Sequence, residues 1–248
     1  MSRPAHLRLF ALGTVHHEER VLSERLASMH TSALFTGLSP SDSLNIASKG
    51  RTRAFARNQA LFLQGYPVQS LMLVQHGSVK LLQASSTGNE VILYTAGEFD
   101  AVGLYPDNNL SLHSCSAHAL EPCLIICWDH SRFRAFLDEY PVLRANINII
   151  LSRRLQELEQ RFREVATECV AKRLALSLLR LTKQVGRPHS AGTQVLVSRE
   201  ELAQLAGTTL FTASRMLSEW DEAGVILAQR QAVVITNVQN LEHLAEGI

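Results

Sequence analysis

The chain has 248 residues, 46% of them hydrophobic and 19% charged, with 24 Lys+Arg against 23 Asp+Glu and a formal net charge of +1. That length suits one large domain or two ordinary ones with a real core, and the near-neutral balance exerts no global pull on a polyanion. No apolar run approaches the roughly 18 residues of a membrane-spanning helix, and "MSRPAHLRLFALGTVHHEER" lacks the uninterrupted apolar stretch of a signal peptide. The four cysteines (Cys115, Cys123, Cys127, Cys169) form no C-x-x-C pair. A cytoplasmic chain without disulfides and without a membrane partner is expected.

Residues 1–29 read as an extension in which "LRLFAL" and "VLSERLASM" could form a helix or two. "SPSDSLNIASKG" starts a helix cleanly, because Ser39 can cap, Pro40 suits the first helical position and Asp42 favours the first turn. From Thr52 to Trp128 the texture changes. Short apolar runs ("ALFLQG", "LMLVQHG", "SVKLLQA", "EVILYTAG", "CLIICW") are punctuated by Gly65, Gly77, Gly88 and Gly97, the signature of many short strands in a sandwich or barrel. Cys123 and Cys127, at i and i+4 of one run, read as small core residues.

"DHSRFRAFLDEYP" predicts a short helix started by Asp129 and ended before Pro141. Pro141 then opens a long one, in which Leu151, Leu155, Leu158, Phe162 and Val165 alternate spacings of four and three. That is a heptad seam, and a seam wants a partner helix. Its outer face offers Arg153–Glu157, Glu157–Arg161 and Glu159–Arg163 pairs at i,i+4. "CVAKRLALSLLRLTKQVG" predicts a further amphipathic helix stopped by Gly186, and "RPHSAGTQ" a loop.

The terminal unit predicts a helix-turn-helix. Ser198 and Glu201 form a capping box, Leu202, Leu205 and Ala206 an apolar face, and Gly207 a turn in the left-handed conformation open to glycine. Thr208 or Thr209 caps the second helix, and Ala213, Met216, Leu217 and Trp220 face its core at i, i+3, i+4 and i+7. Phe211, Thr212, Ser214, Arg215 and Ser218 are left on the outer face, where a recognition helix would enter the major groove of double-stranded DNA. Between Leu202 and Ser218 Arg215 is the one charged side chain. "VILAQRQAVVI" predicts two strands of a wing. Ser198, Thr208, Thr209, Phe211, Thr212, Ser214, Arg215 and Ser218 are thus the candidate DNA-binding residues.

Taken as a set, "FLQGYPVQSLMLVQHGSVKLL", "STGNEVILYTAGEFDAVGLY", "EYPVLRANI", the long helix and "VSREELAQLAGTTLFTASRMLSEWDEAGVI" resemble the CRP/FNR family of bacterial transcription regulators over roughly residues 30 to 245. The resemblance implies an α+β chain: a cyclic-nucleotide-binding-like β-roll (jelly roll), a long dimerisation helix and a winged helix-turn-helix. It divides the chain into an extension (1–29), a sensor (30–140), a dimerisation helix (141–165) and a DNA-binding domain (166–248). It also implies a homodimer seamed by Leu151, Leu155, Leu158, Phe162 and Val165, a palindromic promoter site, and RNA polymerase as a further partner.

Departures from the family pattern matter as much. Cyclic-AMP-binding members place a glutamate and then an Arg-Ser pair after "GEF"; here Val102 and His113-Ser114 fall near those positions, so cyclic AMP is not expected. Members with an iron–sulfur cluster carry cysteines near the N-terminus, whereas the first cysteine here is Cys115. "GTTLFTASR…LSEW" is similar to the nitric-oxide-responsive NnrR-like branch, which implies haem. Candidate haem or effector ligands are then His113, Cys115, His118 and His76, with His16 and His17 in the extension. His113 and Cys115 are expected on one strand face and His118 on the other. Two competing classes are a cupin-like metalloenzyme using His113 and His118 as metal ligands and a cyclic-nucleotide module without gene control. The first lacks a three-ligand pattern, the second conflicts with the helix-turn-helix, and no enzymatic activity is expected.

Overall fold

The computed structural model describes residues 19–104 and 112–246. Residues 19–31 form helix α1, so "VLSERLASM" is helical as expected, while "LRLFAL", His16 and His17 lie outside the described residues. Leu22, Leu26 and Met29 recur at helical spacing and pack into the core that holds Phe35 and Trp128. Helix α2 (Pro40–Lys49) begins as its sequence dictates: the Ser39 hydroxyl accepts from the Asp42 amide and Pro40 occupies the first turn.

Eight antiparallel strands follow. They are β1 (Arg51–Phe55), β2 (Ala60–Phe62), β3 (Ser70–His76), β4 (Val79–Ala84), β5 (Glu90–Ala96), β6 (Ala101–Val102), β7 (Ser116–Ala119) and β8 (Cys123–Asp129). They build two four-stranded sheets, ordered β1-β8-β3-β6 and β2-β7-β4-β5, which is the β-roll. Met72, Val74, Leu81, Val102, Ala117, Cys123, Ile125 and Cys127 fill the space between them. β8 is buried on both faces along Ile125–Trp128, which explains its near-continuous apolar run. The Trp128 indole donates to the Ile46 carbonyl (2.8 Å) and ties α2 to the outer face.

Helix α3 (His130–Glu139) starts after Asp129, but the Asp129 side chain makes no capping bond. Helix α4 (Pro141–Thr167) is anchored at its N-terminal half, where Leu143 and Ile147 are buried and the Asn146 amide donates to the Leu34 (2.9 Å) and Thr36 (2.8 Å) carbonyls. Further along, Leu155, Leu158, Phe162 and Val165 are exposed, and Ile149 joins them. Leu151 instead packs in part against the sensor core. The three expected i,i+4 ion pairs are absent among the described residues. Arg161 instead turns inward and donates to the Leu93 carbonyl (2.6 Å); exposed ion pairs are worth too little to hold it outside.

The C-terminal unit comprises α5 (Val170–Val185), β9 (Arg187–His189), β10 (Gly192–Val195), α6 (Arg199–Ala206), α7 (Leu210–Glu222), β11 (Ile226–Ala228), β12 (Val233–Ile235) and α8 (Val238–Glu246). The predicted loop "RPHSAGTQ" is instead the β9–β10 hairpin. β10 pairs with β12, giving a four-stranded wing ordered β11-β12-β10-β9. One core joins Leu174, Leu178, Leu202, Leu217, Trp220, Ile235 and Leu241 to Leu82 and Ile92 on the outer face of the β-roll. The helix-turn-helix is therefore docked on the sensor. No described helix is long and apolar enough to cross a membrane.

Candidate nucleic-acid interface and effector cavity

The helix-turn-helix is built as its sequence directs. The Ser198 hydroxyl accepts from the Glu201 amide (3.2 Å) while the Glu201 carboxylate accepts from the Ser198 amide (2.8 Å), a closed capping box. Gly207 takes the left-handed conformation (φ 60°), the turn that only glycine adopts without strain. Thr209, not Thr208, caps α7, its hydroxyl accepting from the Thr212 amide (3.2 Å). Ala213, Leu217 and Trp220 are buried and Met216 packs beside them. Phe211 stands out at 78% exposure, flanked by Thr212, Ser214, Arg215 and Ser218.

Arg215 is not a bare cation. Its Nη1 donates to Glu219 Oε1 (2.7 Å), one turn further along α7. Glu219 lies one residue beyond the window in which the sequence shows a single charge, so in the free protein this face is locally neutral.

Glu201 has a second set of partners. It is 4% exposed. Lys80 Nζ on β4 donates to Oε1 (2.9 Å) and Arg57 Nη2 to Oε2 (3.1 Å). Burial alone would raise this carboxyl's pKa; the Ser198 amide and Lys80 outweigh it and hold the group below the usual carboxylate range. A reciprocal pair runs the other way: the sensor's Glu121, held by the Ser78 hydroxyl (2.7 Å), binds Arg187 of the wing (2.7 Å). At Gly97 a side chain would collide with the Gln184 carbonyl of α5. Lys80, Arg57, Glu121 and Arg187 carry no local sequence signal for these roles.

The candidate effector ligands do not converge. His113 and Cys115 precede β7 rather than sharing a strand face, because the chain is irregular there and the strand begins at Ser116. His113 is buried and stacks on Phe62 (centroids 3.8 Å apart, planes within 8°); burial pushes its pKa down. His118, on β7, faces the junction with α6 beside Lys80 and Glu201. His76 pairs with Glu98 (2.6 Å) near the surface. Val102 is a core residue with no exposure. Among the described residues no three His, Cys, Asp or Glu side chains are placed to hold a metal ion.

Of these candidates Cys115 alone lines the cavity between the β-roll and α4. Its volume is about 260 Å³, and Phe62, Leu81, Leu93, Leu104, Leu151, Leu155 and Leu158 make it mostly apolar. Tyr94, Arg154 and Glu157 supply its polar groups, with Ser114. The Arg154 guanidinium lies over the Tyr94 ring (4.4 Å), and its Nη2 donates to the Ala101 carbonyl (2.5 Å). Arg154 escaped notice in the sequence because it sits between seam leucines, where an arginine reads as a solvated flank.

Comparison with known proteins agrees with this architecture. Residues 52–140 match the family model of the cyclic nucleotide-binding domain, and residues 172–244 that of the Crp-like helix-turn-helix domain. The cyclic AMP receptor protein of Thermus thermophilus is 29% identical over 220 residues, covering 89% of this chain and all of that protein. Two solved structures share the fold at a TM-score of 0.69: the c-di-GMP-responsive regulator CLP of Xanthomonas campestris (23% identity, 79% of this chain and 99% of that one) and FixK2 of Bradyrhizobium japonicum (18%, 79% and 96%). A β-roll of the cyclic-nucleotide-binding type, followed in the same chain by a long helix and a Crp-like helix-turn-helix, places the protein in the CRP/FNR family of DNA-binding transcription regulators.

Proposed function

We propose that the protein works as a homodimer on a palindromic promoter site, and that a small effector other than cyclic AMP governs its DNA binding through the cavity between the β-roll and α4. One observation carries this reading. Leu155 and Leu158 line the cavity and also belong to the exposed apolar seam of α4. An effector in the cavity and a second copy of α4 on the seam would touch the same side chains, so occupancy and dimer geometry are coupled. Phe162, 77% exposed and next to last in the seam, is the side chain a partner helix would cover. RNA polymerase is the expected partner at the promoter.

Two observations support an effector other than cyclic AMP: Val102 is a core residue that would offer a ribose no acceptor, and His113 is stacked on Phe62 rather than presented as a permanent cation. The haem reading meets a chemical obstacle at the same cavity. Iron is held by imidazole, thiolate or phenolate. Of the candidate ligands among the described residues, Cys115 alone lines this cavity, and burial raises its thiol. His113, His118 and His76 lie elsewhere. That no described candidate imidazole lines the cavity favours an effector that needs no iron.

The test is sedimentation of the full chain with and without a fluorescent palindromic DNA duplex, followed by an absorption spectrum after haem addition. A monomer that retains full affinity for the palindrome would end the dimer reading. A stoichiometric Soret band that shifts with nitric oxide would restore haem.

A further inference from the structure

We propose that the effector is a small apolar monocarboxylate, its hydrocarbon or aromatic body among the leucines of the cavity and its carboxylate on Arg154. The proposal rests on the reading of this cavity as the effector site and names what the site takes.

The chemistry of Arg154 carries it. Arginine keeps its charge under all ordinary conditions and presents its donors as a planar fork. Nη2 is taken by the Ala101 carbonyl, whereas Nε is buried with no hydrogen-bond partner. Buried donors left unpaired are rare and costly. No carboxylate of the described residues comes within 4.0 Å of this guanidinium, whereas Arg57, Arg180, Arg187 and Arg215 each reach one. A guanidinium that lines an otherwise apolar cavity and has no carboxylate partner among the described residues is complementary to one carboxylate.

The rest of the lining selects the body and the charge count. Leu81, Leu93, Leu104, Leu151, Leu155, Leu158 and Phe62 offer no polar partner, so the remainder of the ligand is apolar. Glu157 also lines the cavity and disfavours a second anionic group. A cavity of roughly 150 Å³ accepts benzene; this one, at about 260 Å³, has room for a phenyl ring with a short acid-bearing chain. A cyclic nucleotide is larger and polar throughout.

The experiment is calorimetric titration of the full-length protein with 3-phenylpropionate, with its neutral counterpart 3-phenylpropanol, and with cyclic AMP. The acid is expected to bind at least about tenfold more tightly than the alcohol, as a charge-assisted pair requires. Arg154→Met is expected to bring the affinity for the acid down to that for the alcohol. If that variant fails to fold, Arg154→Lys keeps the charge without the fork and is expected to bind the acid more weakly than wild type. Protection of the Cys115 thiol from alkylation by the acid, in a Cys169→Ser background, reports occupancy independently. Equal affinity for acid and alcohol, no saturation by either in the millimolar range, or tighter binding of cyclic AMP would overturn the assignment. Promoter-site affinity is measured on the same preparation. Intact DNA binding without acid binding removes this inference alone, and acid binding without any DNA binding removes the regulator reading instead.

Discussion

Lys80 on β4 and Glu201 on α6 meet at 2.9 Å, 121 residues apart in sequence and both buried. The same carboxylate closes the capping box of the helix-turn-helix, so one side chain both starts the DNA-binding motif and fastens it to the sensor. Removing one partner of a buried pair leaves the other charge uncompensated, at a cost of roughly 3–5 kcal/mol. Arg57 and the Ser198 amide still serve Glu201, so Lys80→Met is expected toward or below the low end of that range. The loss should fall on docking rather than on either core. Hydrogen exchange should quicken across α6 and β4–β5 while the amides of β3 and β8 stay protected; uniform loss of protection would contradict the docking role.

The same carboxylate makes the docking sensitive to acid. Glu201 has a folded-state pKa below its usual value. Its stabilisation is therefore complete above the unfolded-state pKa, near 4.5, and is lost as pH falls through the depressed folded value. Thermal unfolding followed from pH 7 to pH 3 should show a loss of stability that is smaller in Glu201→Gln. An identical pH profile in the two proteins would remove Glu201 from the account.

On the DNA face, Arg215 must leave Glu219 to reach a base edge or phosphate. The ion pair is exposed, so its release costs only a few tenths of a kcal/mol. Glu219→Gln should accordingly tighten promoter binding by a small factor, most visibly at low salt. Arg215→Ala should weaken specific binding by roughly 1–3 kcal/mol. Fluorescence anisotropy on a palindromic duplex over a salt series measures both. Unchanged affinity in Arg215→Ala would exclude it from recognition.

Phe211 is 78% exposed and makes no core contact, so Phe211→Ala should leave thermal stability within about 0.5 kcal/mol. Its expected effect is on sequence preference, through loss of an apolar contact with a thymine methyl. Selection from a randomised half-site should show weaker discrimination at one A·T position, with the rest of the motif retained.

The seam makes a separate prediction. Phe162→Glu places a charge where a partner helix would pack, without touching a buried side chain of its own chain. The variant should sediment as a monomer while keeping wild-type helix content, and promoter affinity should fall by at least about a hundredfold, since two half-sites are no longer held together. A dimer of normal strength in Phe162→Glu would show that α4 does not form the interface.

Much of this molecule was legible in the sequence, and for a common reason. The Ser39 and Ser198 caps, the left-handed Gly207 and the apolar faces of α6 and α7 depend on residues within a few positions of one another. Local chemistry and periodicity suffice for these. "RPHSAGTQ" could not be read as a hairpin, because its extended form rests on pairing of β10 with β12, some forty residues away in sequence. The scatter of the histidines was equally invisible: whether His113 meets His118 depends on how the chain enters β7, and stacking on Phe62 sends His113 aside. Arg154 reads as a solvated flank until β5 and β6 are brought against α4. Then the Ala101 carbonyl and the Tyr94 ring turn it inward. The capping box at Glu201 is a property of four consecutive residues, but its burial against Lys80 and Arg57 exists only once two domains are packed together. Long-range desolvation and charge pairing, which no local pattern encodes, decided where this protein keeps its cavity and how its DNA-binding motif is held.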